Sequence, residues 1–397
     1  MFVELHLLQN FAPSNLNRSD TGSPKDCTFG GFRRARISSQ CIKRAIRHHK
    51  SFEETVLQAG GEKGRRTKRV LNRLVELLAD TGYEQQSIIK VGETILGAVK
   101  IRMADKQEND TENKTQYLLY LSESEIEGLA KIARDHWHEL SAIEVAVAET
   151  EKKTDKKAQK KAAKDAVPKE IQKKIEDALR KHPRLAADIA LFGRMVADDK
   201  DMNIDAACQV AHAISTNQIA SMEMDFFTAV DDLLPDDTAG SDMMGIVEFN
   251  SACYYRYAQI NLDILLHNLP KQKDVAIAAI KGFIKAAAEA TPTGMQNSMA
   301  AQNPPSYIRA FIRSEGSPWS LANAFIKPVR ITDNEDTDLI TKSIAKLEEY
   351  LAKLQNAYGK EGFELDCKTA VETGDGIALP QLLGEVEAYF KNHLAEG

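Results

Sequence analysis

Nowhere do about 18 apolar residues run together, the length needed to cross a bilayer, and residues 1–9 lack the basic start and small-residue cleavage site of an export signal. A membrane role is therefore not expected, and the expected location is the cytoplasm. The five cysteines, Cys27, Cys41, Cys208, Cys253 and Cys367, show neither CxxC nor Cys/His ligand spacing, so neither a disulfide framework nor a zinc site is indicated. P-loop, nucleophile-elbow and HExxH patterns are missing too. No catalytic residue, metal or cofactor is expected. What remains is 397 residues, 43% of them apolar, enough for two or three domains around a buried core.

Two further absences are local. Residues 27–52 contain no acid but seven cations: Arg33, Arg34, Arg36, Lys43, Arg44, Arg47 and Lys50. Residues 201–255 contain no Lys or Arg but ten acids, among them Asp225, Asp231, Asp232, Asp236, Asp237 and Asp242. The formal net charge of −6 would argue against a nucleic-acid binder, yet the average conceals a cationic patch and an anionic one.

Residues 2–8 alternate apolar Val3, Leu5 and Leu7 with Glu4 and His6, which predicts a half-buried strand placed centrally in a sheet. Residues 13–31 are rich in turn formers. Arg34 and Arg36 then share one face of a short strand, opposite Ala35 and Ile37. Ser38 or Ser39 is suited to cap a helix running to about Phe52. From about 53 to 183 the periodicity is helical and highly charged, as in Val70, Leu71, Leu74, Leu77 and Leu78. Within it, residues 149–181 carry twelve Lys/Arg and seven Asp/Glu with few large apolar side chains, which predicts an exposed or mobile helical element of small core contribution. Strand character returns at 245–258 and 307–313, and a last helix is expected at 380–394. The fold class is α+β, compatible with a ferredoxin-like core carrying a large helical insertion.

On the helix after Ser39, residues Gln40, Lys43, Arg44 and Arg47 stand at i, i+3, i+4 and i+7, while Cys41, Ile42, Ala45 and Ile46 take the other side. An apolar face to pack on a sheet, a cationic face and a capped N-terminus together suit phosphate. An ordinary solvated amphipathic helix has the same pattern, but the acid-free Arg33, Arg34 and Arg36 directly upstream favour the phosphate cradle. His48 and His49 read as cap or surface residues.

Asn17-Arg18-Ser19-Asp20, Lys25-Asp26 and the run Phe29-Gly30-Gly31-Phe32-Arg33-Arg34-Ala35-Arg36-Ile37-Ser38-Ser39-Gln40 resemble the start of the type I-E Cascade backbone subunit, CasC, of the Cas-seven superfamily of CRISPR proteins. The likeness continues through Phe192-Gly193-Arg194-Met195, Ala211-His212-Ala213-Ile214-Ser215-Thr216, Phe226-Phe227-Thr228-Ala229-Val230-Asp231-Asp232, Tyr255-Arg256-Tyr257-Ala258 and Ser320-Leu321-Ala322-Asn323-Ala324-Phe325; residues 53–187 match poorly.

The resemblance implies an RRM-like palm, helical fingers and a thumb hairpin, divided as palm 1–55, fingers 56–187, palm 188–219, thumb 220–248, and palm with C-terminal helix 249–397. It implies guide-backbone contacts at positions matching Arg18, Lys25, Ser38, Gln40, Lys43 and Arg47, to which the basic strand and helix face add Arg34, Arg36 and Arg44. Met195, Phe226, Phe227 and Thr228 would form a wedge that displaces a guide base at regular intervals, with Phe226 standing where a Trp is familiar. Read from the residues alone, two aromatics in an acidic segment are poor material for stacking on an anionic strand unless a partner neutralises the acids, and burial in their own core is the alternative. The implied partners are CRISPR guide RNA, the target DNA strand paired to it, further copies head to tail, and the large, small, guide-capping and guide-processing Cascade subunits. A loop rich in Gly and Asn, with Gly294, Met295, Gln296, Asn297, Gln302 and Asn303, would lie near the bound strand. The rival reading is a metal-dependent endoribonuclease of the same superfamily acting through Asp26.

Overall fold

The computed structural model describes residues 1–104, 113–143, 166–180, 186–196, 200–219, 222–227, 245–332 and 337–395. Thr228 and the acids at 231, 232, 236, 237 and 242 lie outside these, as do the side chains of Phe226 and Phe227 and most of the lysine-rich 149–181 segment. The chain is α+β and divides into two units: the first comprises Met1–Glu54, Cys208–Leu262 and Ile280–Gly397, and the second comprises Thr55–Ala207 and Asp263–Ala279. Among the described residues no helix is long and apolar enough to cross a membrane, and all five cysteines are unpaired.

The elements follow in chain order: β1 (Phe2–Ser14), β2 (Asp26–Phe29), β3 (Phe32–Ile37), α1 (Ser39–His48), α2 (Lys50–Gln58), β4 (Arg65–Thr67), α3 (Val70–Leu78), α4 (Gln85–Ala98), β5 (Leu119–Leu121), α5 (Glu123–Asp135), α6 (Trp137–Ala142), α7 (Lys169–Arg180), α8 (Ala187–Phe192), β6 (Cys208–Val210), β7 (Ala213–Ser215), β8 (Glu223–Phe227), β9 (Gly245–Asn261), α9 (Leu262–Asn268), α10 (Lys273–Glu289), α11 (Gln296–Met299), β10 (Tyr307–Arg313), α12 (Leu339–Tyr358), β11 (Phe363–Ala370) and α13 (Leu379–Ala395).

The first unit is built on an antiparallel sheet of order β11-β10-β1-β9-β7-β3-β2, with β6 and β8 also pairing along β9. β1 is central, as its pattern predicts, but it is buried on both faces rather than one. The reason is α12, whose Ile344, Leu347 and Leu351 join Leu8, Tyr255, Tyr307, Phe311 and Phe325 in one core over the face that Glu4 and His6 also occupy. Glu4 is satisfied locally, while His6 is bonded through one nitrogen and its buried Nε2 has no partner among the described residues. Glu4 accepts from Trp319 N at 2.5 Å and Tyr257 Oη at 3.1 Å and faces Arg313 at 3.5 Å, while His6 Nδ1 lies 2.9 Å from Tyr255 Oη. Burial pushes Glu4 above the usual carboxylate range and holds His6 down at about 3, so the ring is neutral at physiological pH.

The β2–β3 hairpin closes through Gly30 and Gly31, both at positive φ (61° and 83°) between the paired Phe29 and Phe32. A two-residue turn needs left-handed backbone at both positions, which glycine supplies without a steric cost. Gly30 is fixed a second way: a Cβ there would sit 2.3 Å from the carbonyl oxygen of Ile326.

The second unit is helical, with the short β4–β5 pair at one place in it. Its core gathers Leu71, Leu74 and Leu78 from α3, Ile88, Val91 and Ile95 from α4, and Ile126, Leu129 and Ala133 from α5. The described part of the lysine-rich segment departs from expectation. On α7 the side chains of Ile171, Ile175 and Leu179, spaced four residues apart among lysines and acids, are all buried in this core. At its centre Arg194 Nη1 meets Glu125 Oε1 at 2.6 Å with both side chains almost wholly enclosed, and Arg194 also donates to Met202 O at 2.9 Å and Leu179 O at 2.8 Å. Glu125 closes a capping box with Ser122 at the start of α5.

Removing one partner of a buried pair strands the other's charge, at a cost of about 3–5 kcal/mol. Arg194→Met should therefore speed hydrogen exchange of α5 amides by about two orders of magnitude or more at fixed pH. Unchanged exchange would show that the pair is not holding this helix.

Candidate nucleic-acid interface

Strand β3 enters the sheet beside β7, with Arg36 opposite Ile214 and Ile37 opposite Ala213, and its chain continues directly into α1. Ser38 is the N-cap: its Oγ accepts from Cys41 N at 3.3 Å and its own N–H donates to Asn17 Oδ1 at 2.8 Å. Asn17 is thereby the clasp between α1 and the preceding loop, and its carbonyl takes Lys25 N at 2.9 Å. Ser39 N donates to His212 Nδ1 at 3.0 Å. Of the amides at the start of α1, that of Gln40 is left without a partner among the described residues, and no acid stands in the first turn. Ile42 and Ile46 are buried on the opposite side, as the periodicity requires.

The helix is shorter than expected. His49 leaves it in an extended conformation (φ −75°, ψ 136°), and its Nδ1 accepts from Ser51 Oγ at 2.6 Å, so α1 ends and α2 begins within two residues. The two histidines thus serve the helix ends, as predicted.

Two clefts adjoin along the 16–26 loop. One, of about 500 Å³, is lined by Asn17, Arg18, Asp20, Arg44, Thr293 and Gly294. Its neighbour, of about 430 Å³, is lined by Asp20, Ser23, Lys25, Asp26, Arg33 and Arg36. Ser19 and Asp20 border both, so the pair forms one trough with cations on either side. Gly294 closes the trough's far wall because its backbone packs against the loop: a Cβ would lie 2.4 Å from Leu16 O. Arg18 and Met295 approach at 4.0 Å, which brings the 292–295 turn beside the cationic loop as expected. Gln296 and Asn303 are instead structural, Gln296 Nε2 donating to Pro292 O at 3.0 Å and Asn303 Oδ1 accepting from Ala12 N at 3.1 Å.

Arg18, Lys25, Arg36 and Arg44 line this trough, exposed or half-buried, and Ser38 caps the helix that carries Arg44, whereas Gln40 (exposed) and Lys43 (half-buried) stand on the same helix but line neither cleft. Nor does Arg34. Alternation does put it on the same side as Arg36, but at its end of the strand that side is covered by the 325–326 segment. Its guanidinium is fully buried and donates to the carbonyls of Ser215 (2.7 Å), Thr216 (2.9 Å), Phe325 (2.5 Å) and Ile326 (3.3 Å). Arg34 is a structural cross-link with no surface to offer RNA. Arg47 is also enclosed, only 9% exposed, with Nη1 3.4 Å from His48 Nε2, because the last turn of α1 sinks into the unit. Met195 belongs to the second unit, where it is 84% exposed. Phe226 and Phe227 close strand β8, which pairs with β9.

Two contributors escaped the sequence reading, and a third, Arg33, stands in the acid-free run but not among the expected contacts. Arg33 lines the second cleft and is ion-paired to Asp26. Met222 lines it as well. His212 supports the start of α1 from 173 residues away, a proximity created by the β3–β7 pairing and invisible to local spacing. Partial burial, with the charges of Arg36 and Lys25 added, holds His212 below the ordinary imidazole range. Its folded-state value lies below its unfolded one, near 6.5, so the neutral ring stabilises the fold above that pH and the contribution is lost as pH falls through the folded value. Melting curves between pH 7 and pH 5 should accordingly show wild type losing more Tm than His212→Gln, whose amide can still accept from Ser39 N. Equal losses would mean that the contact is dispensable.

The profile of a protein family described as CT1975-like protein matches residues 3–382. A solved chain from a CRISPR RNA-guided surveillance complex in a pre-nicking state superposes with a TM-score of 0.80 at 28% sequence identity, covering 98% of this chain and 100% of that one. A chain from another CRISPR RNA-guided surveillance complex gives a TM-score of 0.69 at 24% identity over the same shares, a likeness of fold. No curated protein sequence matches.

Proposed function

Because the chain belongs to the CT1975-like protein family, we propose that it is a subunit of a CRISPR RNA-guided surveillance complex and that the trough beside α1 holds the backbone of the guide RNA. The observation that carries this reading is the convergence of Arg18, Lys25, Arg33, Arg36 and Arg44 around one loop and one helix N-terminus in a chain whose net charge is −6. Such a concentration opposes the average charge, and among the described residues the acids that line the trough are Asp20 and Asp26 alone. Phosphates supply the rest of the counter-charge.

On this reading the first unit corresponds to the palm and the second to the fingers of the type I-E backbone subunit, and β8 with the start of β9 forms the base of the thumb. Copies stack head to tail along the guide, with Phe226, Phe227, Thr228 and Met195 wedging out a base at intervals and the acidic 231–242 segment steering each thumb onto its neighbour. The remaining bases pair with target DNA. Since backbone contacts position a strand while pairing reads it, guide sequence is immaterial to this subunit. We assign it no cutting step. Asp26, the carboxylate on which a ribonuclease reading rests, is engaged by Arg33.

Reversing Lys43 and Arg44 to Glu should abolish retention of guide RNA while the protein stays folded, because both side chains lie on the polar face of α1. Single Ala substitutions should flatten the log–log salt dependence by about 0.7 per lost contact. Filter binding at several salt concentrations measures both. Unchanged affinity and slope would reduce the stripe to a solvated surface.

A further inference from the structure

The chain has a second acid-free window. Between Glu62 and Glu76 stand Lys63, Arg65, Arg66, Lys68, Arg69 and Arg73, all in the second unit and none of them on the trough. Arg65, Arg66, Lys68 and Arg69 are exposed. Arg65 and Arg73 share one carboxylate, Glu123, at 3.1 and 2.6 Å. Arg66 and Lys68 have no carboxylate partner among the described residues. Lys68 Nζ reaches only Gln116 O, at 3.4 Å, and Arg66 lies over the ring of Tyr120, its cross-strand partner on β5, at 5.7 Å.

The placement of Lys68 and Arg69 breaks a local rule. They stand at the start of α3, where Arg69 is the N-cap residue, no side chain caps the helix, and the first turn holds no acid. The positive end of a helix dipole favours anions, so two cations there oppose folding. Departures of this kind mark sites where an absent ligand restores the balance. A phosphate at this point would take the uncapped amides and the cations together, and a guanidinium already placed over the Tyr120 ring would lose less freedom in binding it. The fork of Arg and the helix start both suit a phosphodiester better than the scattered carboxylates of an acidic protein surface.

We infer that β4 and the start of α3 form a second phosphodiester-binding site, separate from the guide trough. The chemistry admits two sources, the guide RNA or a DNA strand brought to it. Because the residues lie in the second unit alone, this inference and the assignment of the trough can fail independently.

The test uses the full chain and the variant Arg66→Ala/Lys68→Ala/Arg69→Ala. One arm measures guide RNA binding to the free chain, the other the binding of a fluorescent complementary single-stranded DNA to the guide-loaded chain, each across a salt series. The variant should bind about tenfold more weakly or worse at physiological salt in one arm, with its salt slope flattened by about 2 for three lost contacts. A loss confined to the DNA arm assigns the site to DNA; a loss in the guide arm assigns it to the guide. The conservative Arg66→Lys/Lys68→Arg/Arg69→Lys variant should keep most of the affinity, which separates lost contacts from lost fold. Wild-type affinity and slope in both arms would overturn the inference, and so would a defect seen only in association between copies of the chain without nucleic acid.

Discussion

The candidate interface depends on one buried guanidinium. Arg34 ties four carbonyls from two distant stretches of chain, 215–216 and 325–326, to the middle of β3. Most of the cations nearby are hung from that strand, its hairpin partner or its continuation: Arg33 and Arg36 on β3 itself, Lys25 just before β2, and Arg44 on α1 directly after it. A charge taken out of water demands satisfied hydrogen bonds, and carbonyls meet that demand without consuming acids. Acids used instead would have neutralised the trough. The core cation thus fixes the geometry without spending an acid on it.

Much of this was legible in the sequence. The acid-free window, the capping serine, the apolar stripe of Ile42 and Ile46, and the strands at 245–258 and 307–313 follow from local rules of charge, capping and periodicity. What was not legible depended on chain segments far apart. Arg34 and Arg36 are equivalent by alternation, and only the covering 325–326 segment distinguishes a core residue from a surface one. The contribution of His212 requires the β3–β7 register. Burial of β1 on both faces requires α12, an element for which no local signal had been noted. Likewise the lysines around Ile171, Ile175 and Leu179 masked an apolar stripe spaced at four residues, and mean composition was the wrong guide to its burial.

The same economy of acids recurs at 63–75, where a helix begins on a cation rather than on a cap. Local rules are kept at α5, with its capping box, and at α12, where Asp338 caps Ile340 and Thr341. They are broken at α3. The contrast within one chain is the physical reason to treat the two acid-free windows as surfaces shaped for polyanions, and the acid-rich 201–255 stretch as what balances them in the sequence as a whole.

The central claim is that phosphates sit in the trough between the 16–26 loop and α1. Photochemical crosslinking of the purified chain to guide RNA, with the adducts mapped by mass spectrometry, tests it most directly. The account predicts adducts on peptides containing Arg18, Lys25, Arg36 and Arg44, and none on the peptide that carries buried Phe311 and Arg313. Adducts that avoid residues 16–44 altogether, with RNA demonstrably bound, would contradict it.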